Sequence, residues 1–452
     1  MNYLDTLSHF AATLDVHQLQ ADQQAQLGWI LADTVAAMVA GSAEPELQAL
    51  AKRQASVPVA SLVGLGQRST AEAAAFINGT AGTFLEMDEG NRFSRGHPAV
   101  HVIPAALALS EQRGATAEDF LAAVVVGYEV GSRLGAAAQL RGAMHPHGTW
   151  GTVGAGAACA RLARHDANAV REVINVAASL TTATSKQTML EGGLVRNTYA
   201  GLSNRNGLLA LELVDCGFNG ERDGPGSLLG HIVSDRFDPE AVVKDLNSDW
   251  HFMHNYFKLH SCCRYNHGTL DALDHLAAQQ GLPAASEIQS IAVHTYHLAA
   301  ELNNPAPANT LAAKFSVPFA VATRIVNQSS ALSSFTWQAI RDPAVLALAQ
   351  KVSVTHDPAM SQRLPHERPA KVSLHLKDGR VLQAEAGVNR GDDASPYTRE
   401  ELRGKFMDLT QRIWPADHCE ALLEATLALA RLERPLGEWL ALLTRPAMPS
   451  AQ

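Results

Sequence analysis

The spacing of the apolar residues changes along the chain, and this change constrains the fold more than any other feature. Up to about residue 265, apolar residues recur every three or four positions, which predicts successive amphipathic helices. The spacing is clearest at 23–41, 71–87, 117–138 and 167–183. Beyond about residue 285, apolar and polar residues alternate instead, as they do in half-buried strands. The chain therefore predicts a helical bundle followed by a region that contains a sheet.

The alternating region combines strands with one helix. The strands are predicted at 287–296, 351–357, 370–376 and 380–387, and the helix at 308–327. Asp378-Gly379 joins the last two strands and is a strong hairpin signal. We therefore predict an α+β unit over residues 269–393, a length within the usual range for a domain.

Helical spacing returns after this unit. The segments 399–414 and 418–432 again place apolar residues at helical intervals. These helices can complete the first domain, which makes the α+β unit an insertion. The predicted fold class is thus mostly α with an inserted α+β domain: a large helical domain of residues 1–268 and 394–452, and a smaller α+β domain.

The composition limits the partners. The formal net charge is −9 and no basic run is present, which argues against nucleic acid and anionic membranes. No apolar stretch is expected to reach the roughly 20 residues that a membrane span needs, and the N-terminus shows no export signal. The 5 cysteines form neither a disulfide framework nor a zinc-binding pattern. We therefore expect a cytoplasmic protein without membrane or nucleic-acid partners.

Sequence patterns that hold cofactors are also missing. No GxGxxG follows a predicted strand, and no GxxxxGK[ST] is present. The glycine-rich segment 64–70 lacks the lysine that would bind phosphate, so it is predicted as a turn. The histidines do not have HExxH spacing, and no cysteine set suits an iron–sulfur cluster. We therefore expect no metal and no organic cofactor.

Four polar islands interrupt the apolar helices. They lie at 85–106, 141–158, 191–207 and 258–272. The first, LEMDEGNRFSRGHPAVHVIPAA, contains carboxylates, arginines and histidines between two helical runs. Ionisable groups between apolar helices usually line a cavity or pair with one another. The islands are therefore the candidate functional segments.

Two histidines in these islands are the best candidates for acid–base chemistry. His97 and His145 each precede a proline, which favours turns where a side chain can face a cavity. Histidine titrates near neutral pH, as a general acid or base requires. A lone histidine is more often a helix cap or a buried structural group. Two His-Pro turns in polar islands instead favour a role in acid–base chemistry for both histidines.

In content and order, the four islands resemble those of the MmgE/PrpD family, which includes 2-methylcitrate dehydratase, cis-aconitate decarboxylase and iminodisuccinate epimerase. The resemblance covers nearly the whole chain. It implies a helical domain and a smaller lid domain with the active site between them, in a homodimer. It also implies proton removal next to a carboxylate of a small di- or tricarboxylic acid, without metal or organic cofactor. In the family, the histidines of the two His-Pro turns line the active site, and they match His97 and His145.

The acidic cluster before His97 departs from the family pattern. The family's D-x-D-D is replaced by Glu86-Met87-Asp88-Glu89. One interpretation is that Glu86 or Asp88 orients a base or contacts the substrate. The alternative is that these carboxylates pair with Arg92 and Arg95.

The third island also departs from the family. The family's K-R-L-H-A-G is replaced by R-N-T-Y-A-G, so Arg196 takes the place of the lysine and Tyr199 that of the histidine. Arginine can hold a carboxylate through two hydrogen bonds but does not easily shuttle protons. Lys186 is a substitute base or a surface lysine. Tyr199 is a general acid, an oxyanion donor or a packing residue.

Two further motifs resemble family sequences. KLHSCCRYNHG is similar to K-P-Y-P-x-C-R-x-x-H-P, with Gly268 in place of the proline, and AKFSVPFAVA is similar to A-K-F-S-x-x-Y. Phe319 replaces the tyrosine that the decarboxylase uses, which argues against decarboxylation. A thiol nucleophile at Cys263 is a weaker hypothesis, because removal of an α-proton needs no covalent step. The resemblance implies substrate-binding roles for Arg196, Lys258, Cys263, Arg264, His267 and Lys314, and catalytic roles for Glu86, Asp88, His97, His145 and Tyr199.

These matches predict a cofactor-independent lyase that abstracts a proton α to a carboxylate. The first hypothesis is a dehydration like that of 2-methylcitrate dehydratase. One alternative is an epimerase of an iminodisuccinate-like dicarboxylate, which shares the same intermediate. Another is an inactive family member that only binds carboxylates, and a metal-dependent lyase is a third.

Overall fold

The computed structural model describes residues 2–446, and its first part folds into helices where the apolar spacing predicts them. The helices before the sheet region are α1 (Tyr3–Thr13), α2 (Ala21–Ser42), α3 (Pro45–Arg53), α4 (Ala71–Phe84), α5 (Pro98–Arg113), α6 (Ala117–Ala137), α7 (Trp150–Leu162), α8 (Ala167–Ser179), α9 (Lys186–Leu190), α10 (Thr198–Asp215), α11 (Gly224–Ser227) and α12 (Pro239–Val243). Short antiparallel pairs join strands of this part: β1 (Ala60–Leu62) with β2 (Gln67–Ser69), β3 (Gly90–Asn91) with β6 (Asn255–Tyr256), and β4 (Ala138–Leu140) with β5 (Ser234–Phe237).

The central helix of this domain is α6. Thr116 caps it in a capping box with Asp119, which satisfies the first free N–H groups. The helix has the length and composition of a membrane span, with a mean hydropathy of 1.3, so the expectation that no stretch reaches that length is wrong. However, 94% of the apolar window is buried by neighbouring parts of the protein. An all-round apolar helix of this kind is typical of the centre of a large helical domain.

The α+β unit forms around a four-stranded sheet. Its helices are α13 (His267–Gln280), α14 (His297–Ala300), α15 (Thr310–Lys314), α16 (Val317–Val326), α17 (Pro343–Ala349) and α18 (Pro358–Ser361), and its strands are β7 (Ile288–Thr295), β8 (Val352–His356), β9 (Ala370–Leu376) and β10 (Val381–Ala386). The strand order is β10-β9-β7-β8, with β7 and β8 parallel and the other pairs antiparallel. The Asp378-Gly379 hairpin is confirmed, and Gly379 has the positive φ of 90° that its turn requires.

The helix predicted at 308–327 is wrong in one respect, because the structure divides it into α15 and α16. The break falls at Phe315 and Ser316. The Ser316 hydroxyl accepts a hydrogen bond from the Phe319 N–H at 3.0 Å and so begins a new helix. Pro318 lies in the first turn of α16, where its missing N–H costs nothing.

The chain then returns to the first domain through α19 (Arg399–Thr410), α20 (Ala416–Ala430) and α21 (Leu436–Leu443). These helices share one apolar core with the N-terminal helices, while the sheet and its helices form another. Cys262 and Cys263, before the predicted boundary at residue 268, already pack in the second core. The fold is therefore mostly α with a smaller α+β unit, as predicted from the sequence.

A buried ion pair between α19 and α2 links the C-terminal helices to the rest of the first domain. The Lys405 ammonium contacts the Asp33 carboxylate on α2 and donates to the Met87 carbonyl at 2.6 Å. Both side chains are almost fully buried, and burial lowers the pKa of Lys405 while raising that of Asp33. The pair thus joins the C-terminal helices to the segment that carries the first polar island.

We predict that Lys405→Met destabilises the fold strongly, because it leaves the Asp33 carboxylate buried without its partner. The free energy of unfolding should fall by about 3–5 kcal/mol in chemical denaturation. The double variant D33N/K405M should recover much of this loss, and Lys52→Met, on the exposed surface, should have little effect. Equal stability of K405M and the wild type would contradict the assigned importance of the pair.

Candidate active site

A cavity lies between the helical domain and the α+β unit. Including the open solvent at its mouth, the space between its walls is about 950 Å³. The helical domain contributes His97, His145 and Arg196 to its wall, and the α+β unit contributes Tyr265 and Arg368. The cavity is therefore built from all four polar islands together with a segment of the sheet region.

His97 lies at the N-terminus of α5, and its ring is held there by neighbouring hydrogen-bond acceptors. Pro98 occupies the first position of the helix, so His97 takes the N-cap position. The Nδ1 atom of His97 lies 2.6 Å from the Glu89 carbonyl oxygen and 3.2 Å from Asp88 Oδ2. Because both partners are acceptors, Nδ1 carries the proton of the neutral ring. The Nε2 lone pair is left to act as a base.

His145 has the opposite arrangement. The His147 N–H donates to His145 Nδ1 at 3.1 Å, whereas Arg196 Nε approaches His145 Nε2 at 3.4 Å; the shorter contact favours the tautomer with the proton on Nε2. The turn is closed by Gly148, whose φ of 92° favours glycine. It is also held by the Thr184 hydroxyl, which contacts the carbonyl oxygens of His145 and His147 at 2.9 and 2.7 Å. His145 therefore presents an N–H donor where His97 presents an acceptor.

His147, which the sequence analysis did not select, lies between these two rings. Its ring centroid is 5.0 Å from that of His97 and 4.7 Å from that of His145, and His101 packs on it at 4.6 Å. Burial, followed by nearby cationic groups, lowers the pKa of His97, His145 and His147 well below the usual value. Burial likewise lowers the pKa of His101 to about 4. All four rings are therefore neutral at pH 7.

The acidic cluster is held by cations from the other islands. Arg196 forms a buried ion pair with Glu86, and the Lys258 ammonium lies 3.3 Å from Asp88 Oδ1 and 3.6 Å from Glu86 Oε2. Burial acts to lower the pKa of Lys258, but Asp88 and Glu86 outweigh it and raise that pKa. Glu86 also has a φ of 57°, a conformation that costs a non-glycine residue energy and is common at functional sites.

The alternative pairing predicted for these carboxylates is wrong. Arg92 forms its ion pair with Asp393 instead, and Arg95 is exposed without a carboxylate within ion-pair distance among residues 2–446. Glu86 itself lines the cavity, whereas Asp88 is buried behind His97. Glu86 is thus placed to contact a ligand, and Asp88 to orient the base.

Several predicted site residues lie behind the cavity wall. Lys314 donates to the Leu85 carbonyl at 3.0 Å and to the Ser261 hydroxyl at 2.7 Å, so its ammonium is engaged by the protein. His267 receives a contact from Arg264 Nη1 at 2.9 Å and is fully buried. The Tyr199 ring packs 5.8 Å from that of His145. Their roles in substrate binding or catalysis stay predictions. In the structure, His267 and Tyr199 contact the cavity-lining residues Arg264 and His145.

Cys263 and Arg264 reach the cavity, but each is already constrained. Burial raises the pKa of Cys263 to about 11, so the group is a thiol at neutral pH and a poor nucleophile. Arg264 donates from Nη2 to Asp392 at 2.9 Å and from Nη1 to the Arg390 carbonyl at 2.9 Å. Its guanidinium also stacks 4.5 Å from the Tyr256 ring centroid. Most of its hydrogen-bonding capacity is therefore used within the protein.

Lys186 lies at the cavity mouth and is paired with Glu301 of the α+β unit, so it is neither an unpaired base nor a simple surface lysine. The structure also places Tyr256 and Arg368 on the cavity wall, which sequence reasoning missed. Tyr256 lies in β6 and Arg368 precedes β9. Neither has a local motif that marks it, because the packing of the two domains brings them to the cavity.

One group of possible metal ligands is found among residues 2–446. Ligand atoms of His260, Asp271 and Asp274 lie within 4.8 Å of one another. Asp274 is paired with Arg324 at 2.7 Å, and Asp271 accepts from the Arg390 N–H at 3.0 Å. The group does not line the cavity, so it gives no support to a metal-dependent reaction there.

The buried histidines predict that acid destabilises the fold. In the unfolded chain they titrate near pH 6.5, whereas in the folded protein their pKa values are lower. Stability is therefore fully present above about pH 6.5 and is lost as the pH falls towards the folded-state values, by about 1.4 kcal/mol per pH unit for each histidine.

Thermal melting between pH 7.5 and 5 should show this loss. His101→Leu removes one titrating ring and should make the dependence shallower, whereas His17→Gln, at an exposed position, should leave it unchanged. A melting temperature that stays constant over this range would contradict the prediction.

Comparisons with known proteins identify the family of the chain. The profile of the MmgE/PrpD N-terminal domain matches residues 5–224, and that of the MmgE/PrpD C-terminal domain matches residues 260–430. A cis-aconitate decarboxylase-like protein of Aspergillus oryzae is 24% identical over 98% of this chain and 97% of its own length. The cis-aconitate decarboxylase of Aspergillus terreus is 24% identical over 94% and 93%. That of Mus musculus is 25% identical over 80% and 76%.

Proposed function

Because the chain belongs to the MmgE/PrpD family, we propose that it is a lyase that eliminates water from a small hydroxylated di- or tricarboxylic acid. The observation that carries the proposal is the pair of histidines at the cavity. His97 offers an acceptor nitrogen, and His145 offers a donor N–H in the tautomer that its shorter contact, with the His147 amide, favours. Proton abstraction next to a carboxylate needs both a base and a donor to the developing negative charge.

The proposed reaction runs through His97. Its Nε2 takes the proton α to a carboxylate, and His145 donates a hydrogen bond to the carboxylate oxygen on which charge develops. The carbon electron pair then forms the C=C bond while the C–O bond to the neighbouring hydroxyl breaks. The imidazolium of His97 returns its proton to that hydroxyl, which leaves as water, so the enzyme is unchanged.

The arrangement of the rings favours elimination over epimerisation. His97 and His145 both pack against His147, and all three rings belong to the helical domain. An epimerase must remove a proton from one face of the substrate and deliver one to the opposite face. Elimination with return of the same proton needs groups on one side only.

Decarboxylation is a second candidate, favoured by the similarity to cis-aconitate decarboxylases. The sequence argument against it is weak, since Phe319 packs against Phe335 at 5.8 Å and does not line the cavity. Loss of carbon dioxide leaves a carbanion that an already protonated acid must quench. The lowered pKa of His97 leaves its ring unprotonated at neutral pH, which suits removal of a proton better than delivery of one.

We predict that His97→Gln and His145→Gln each slow turnover by about 10²–10⁴ while the protein stays folded, as expected for a lost acid–base group. Exposed His17→Gln is the matched control. Turnover should be followed by proton NMR in D₂O with hydroxy tri- and dicarboxylates. Activity of either site variant within a few-fold of the wild type would remove that histidine from the mechanism.

The same spectra distinguish the two candidate reactions. Elimination from a hydroxy acid gives a new vinyl signal without release of carbon dioxide. With cis-aconitate as substrate, decarboxylation instead releases carbon dioxide and incorporates deuterium at carbon. Carbon dioxide release that requires His97 would replace the proposed elimination by the second candidate.

The proposal also predicts that activity needs no added metal, because the residues named above supply the base and the donor. Protein treated with a strong chelator and desalted should keep its full rate. A rate that collapses and returns with one particular divalent ion would contradict the proposal and favour a metal-dependent lyase.

A further inference from the structure

The cations around the cavity differ in whether the protein already neutralises them. The arginines and lysine that line it are Arg95, Arg141, Lys186, Arg196, Arg264 and Arg368. Four of them have carboxylate partners: Arg141 with Asp235, Lys186 with Glu301, Arg196 with Glu86 and Arg264 with Asp392. Among the described residues, no carboxylate lies within ion-pair distance of Arg95 or Arg368. The uncompensated positive charge of the cavity is thus concentrated on these two side chains.

Arg368 is the more unusual of the two, because it is 95% buried with an exposed fraction of only 5%. Its one hydrogen bond from the guanidinium goes from Nη2 to the Arg92 carbonyl at 3.3 Å, and Nη1 is buried without a partner within residues 2–446. A buried charge without a counter-ion is costly, so it is rarely kept unless a ligand completes it.

The surroundings hold this guanidinium in place. It lies 5.4 Å from the ring centroid of Tyr256 and 5.9 Å from that of Tyr265, so two aromatic faces support it. Gly268 permits the approach of its backbone, since a Cβ there would lie 2.5 Å from the Arg368 carbonyl oxygen. Gly268 is also the position where this chain departs from the proline of the family motif. The replacement of that proline by Gly268 therefore falls at the position that the Arg368 backbone packs against.

Arg368 and Arg95 share a second feature. Both line the main cavity and also the adjoining recess at its mouth. Arg368 comes from the α+β unit and Arg95 from the helical domain, so an anion between them would contact both domains. The histidines lie on the helical side of the same cavity.

We propose that Arg368, with Arg95 at the mouth, binds the distal carboxylate of the substrate and makes the site specific for acids with at least two carboxylates. This inference rests on the proposed function for the identity of the ligand. The guanidinium of Arg368 can donate two parallel hydrogen bonds to one carboxylate, while the reacting end of the molecule lies at His97 and His145. A monocarboxylate would leave Nη1 unpaired and would bind more weakly.

Calorimetric titration with unreactive acids tests this. The probes are propane-1,2,3-tricarboxylate, pentanedioate and butanoate, which have no hydroxyl to eliminate. The wild type should bind the first two more tightly than butanoate. Arg368→Gln should weaken tricarboxylate binding by about 10- to 100-fold, the usual range for a lost hydrogen bond to a charged group, and should leave butanoate binding unchanged. Arg368→Lys should recover only part of the loss because it lacks the planar fork.

Arg363→Gln is the matched control. Arg363 lies on the same segment of the α+β unit, is paired with Glu367 and Glu385, and does not line the cavity, so its loss should not change binding. If Arg368→Gln fails to fold, as judged by circular dichroism, Arg95→Gln and Arg368→Lys still decide the question, since both should reduce tricarboxylate affinity. Unchanged preference for the tricarboxylate in those variants, or no preference in the wild type, would overturn the proposal.

The outcome is separable from that of the proposed function. Binding of the tricarboxylate that depends on Arg368, without turnover of any hydroxy acid, would keep this subsite and overturn the proposed reaction. Normal elimination by Arg368→Gln with an unchanged KM for a tricarboxylate would keep the reaction and overturn the subsite.

Discussion

The buried ion network of Glu86, Asp88, Arg196 and Lys258 is the interaction on which the rest of the site depends. It joins three polar islands that are far apart in the sequence, and its charges are almost fully removed from water. Such a network is stable only if every charge keeps its partner, because removal of one leaves another buried and unpaired. The pairing therefore fixes the relative positions of the segments that carry His97, Arg196 and Cys263.

This network also bears on the different tasks that we propose for the two histidines. Asp88 is held by Lys258 and lies beside Nδ1 of His97, so the proton of that ring is directed away from the cavity. His145 lies beside Arg196, whose positive charge and the burial of the ring together keep His145 neutral. Asp88 and Lys258 thus set which nitrogen of His97 accepts, although neither of them lines the cavity.

Much of the fold could be predicted from the sequence, because the spacing of apolar residues within one element is enough to identify a helix or a strand. Helical and strand spacing depend on which face of each element is buried, so α6, the hairpin at Gly379 and the positions of the four strands β7 to β10 followed from pattern alone. The break between α15 and α16 was missed because a serine cap competes with continuous apolar spacing. His97, His145, Glu86 and Arg196 could be selected because each lies in a recognisable motif. Arg368 could not, since only the docking of the α+β unit on the helical domain brings it to the cavity.

The departures from the family pattern also become intelligible when their contacts are compared. Glu86 stands where the family has the first aspartate of D-x-D-D, and Arg196 stands where it has a lysine, and these two residues are ion-pair partners. In this chain the carboxylate of Glu86 and the guanidinium of Arg196 therefore neutralise one another within the network. The substitution removes an amine that could carry protons, because a guanidinium stays protonated at working pH. In the proposed reaction, proton transfer therefore runs through the neighbouring histidines, and the buried arginine holds Glu86 and places a positive charge beside His145.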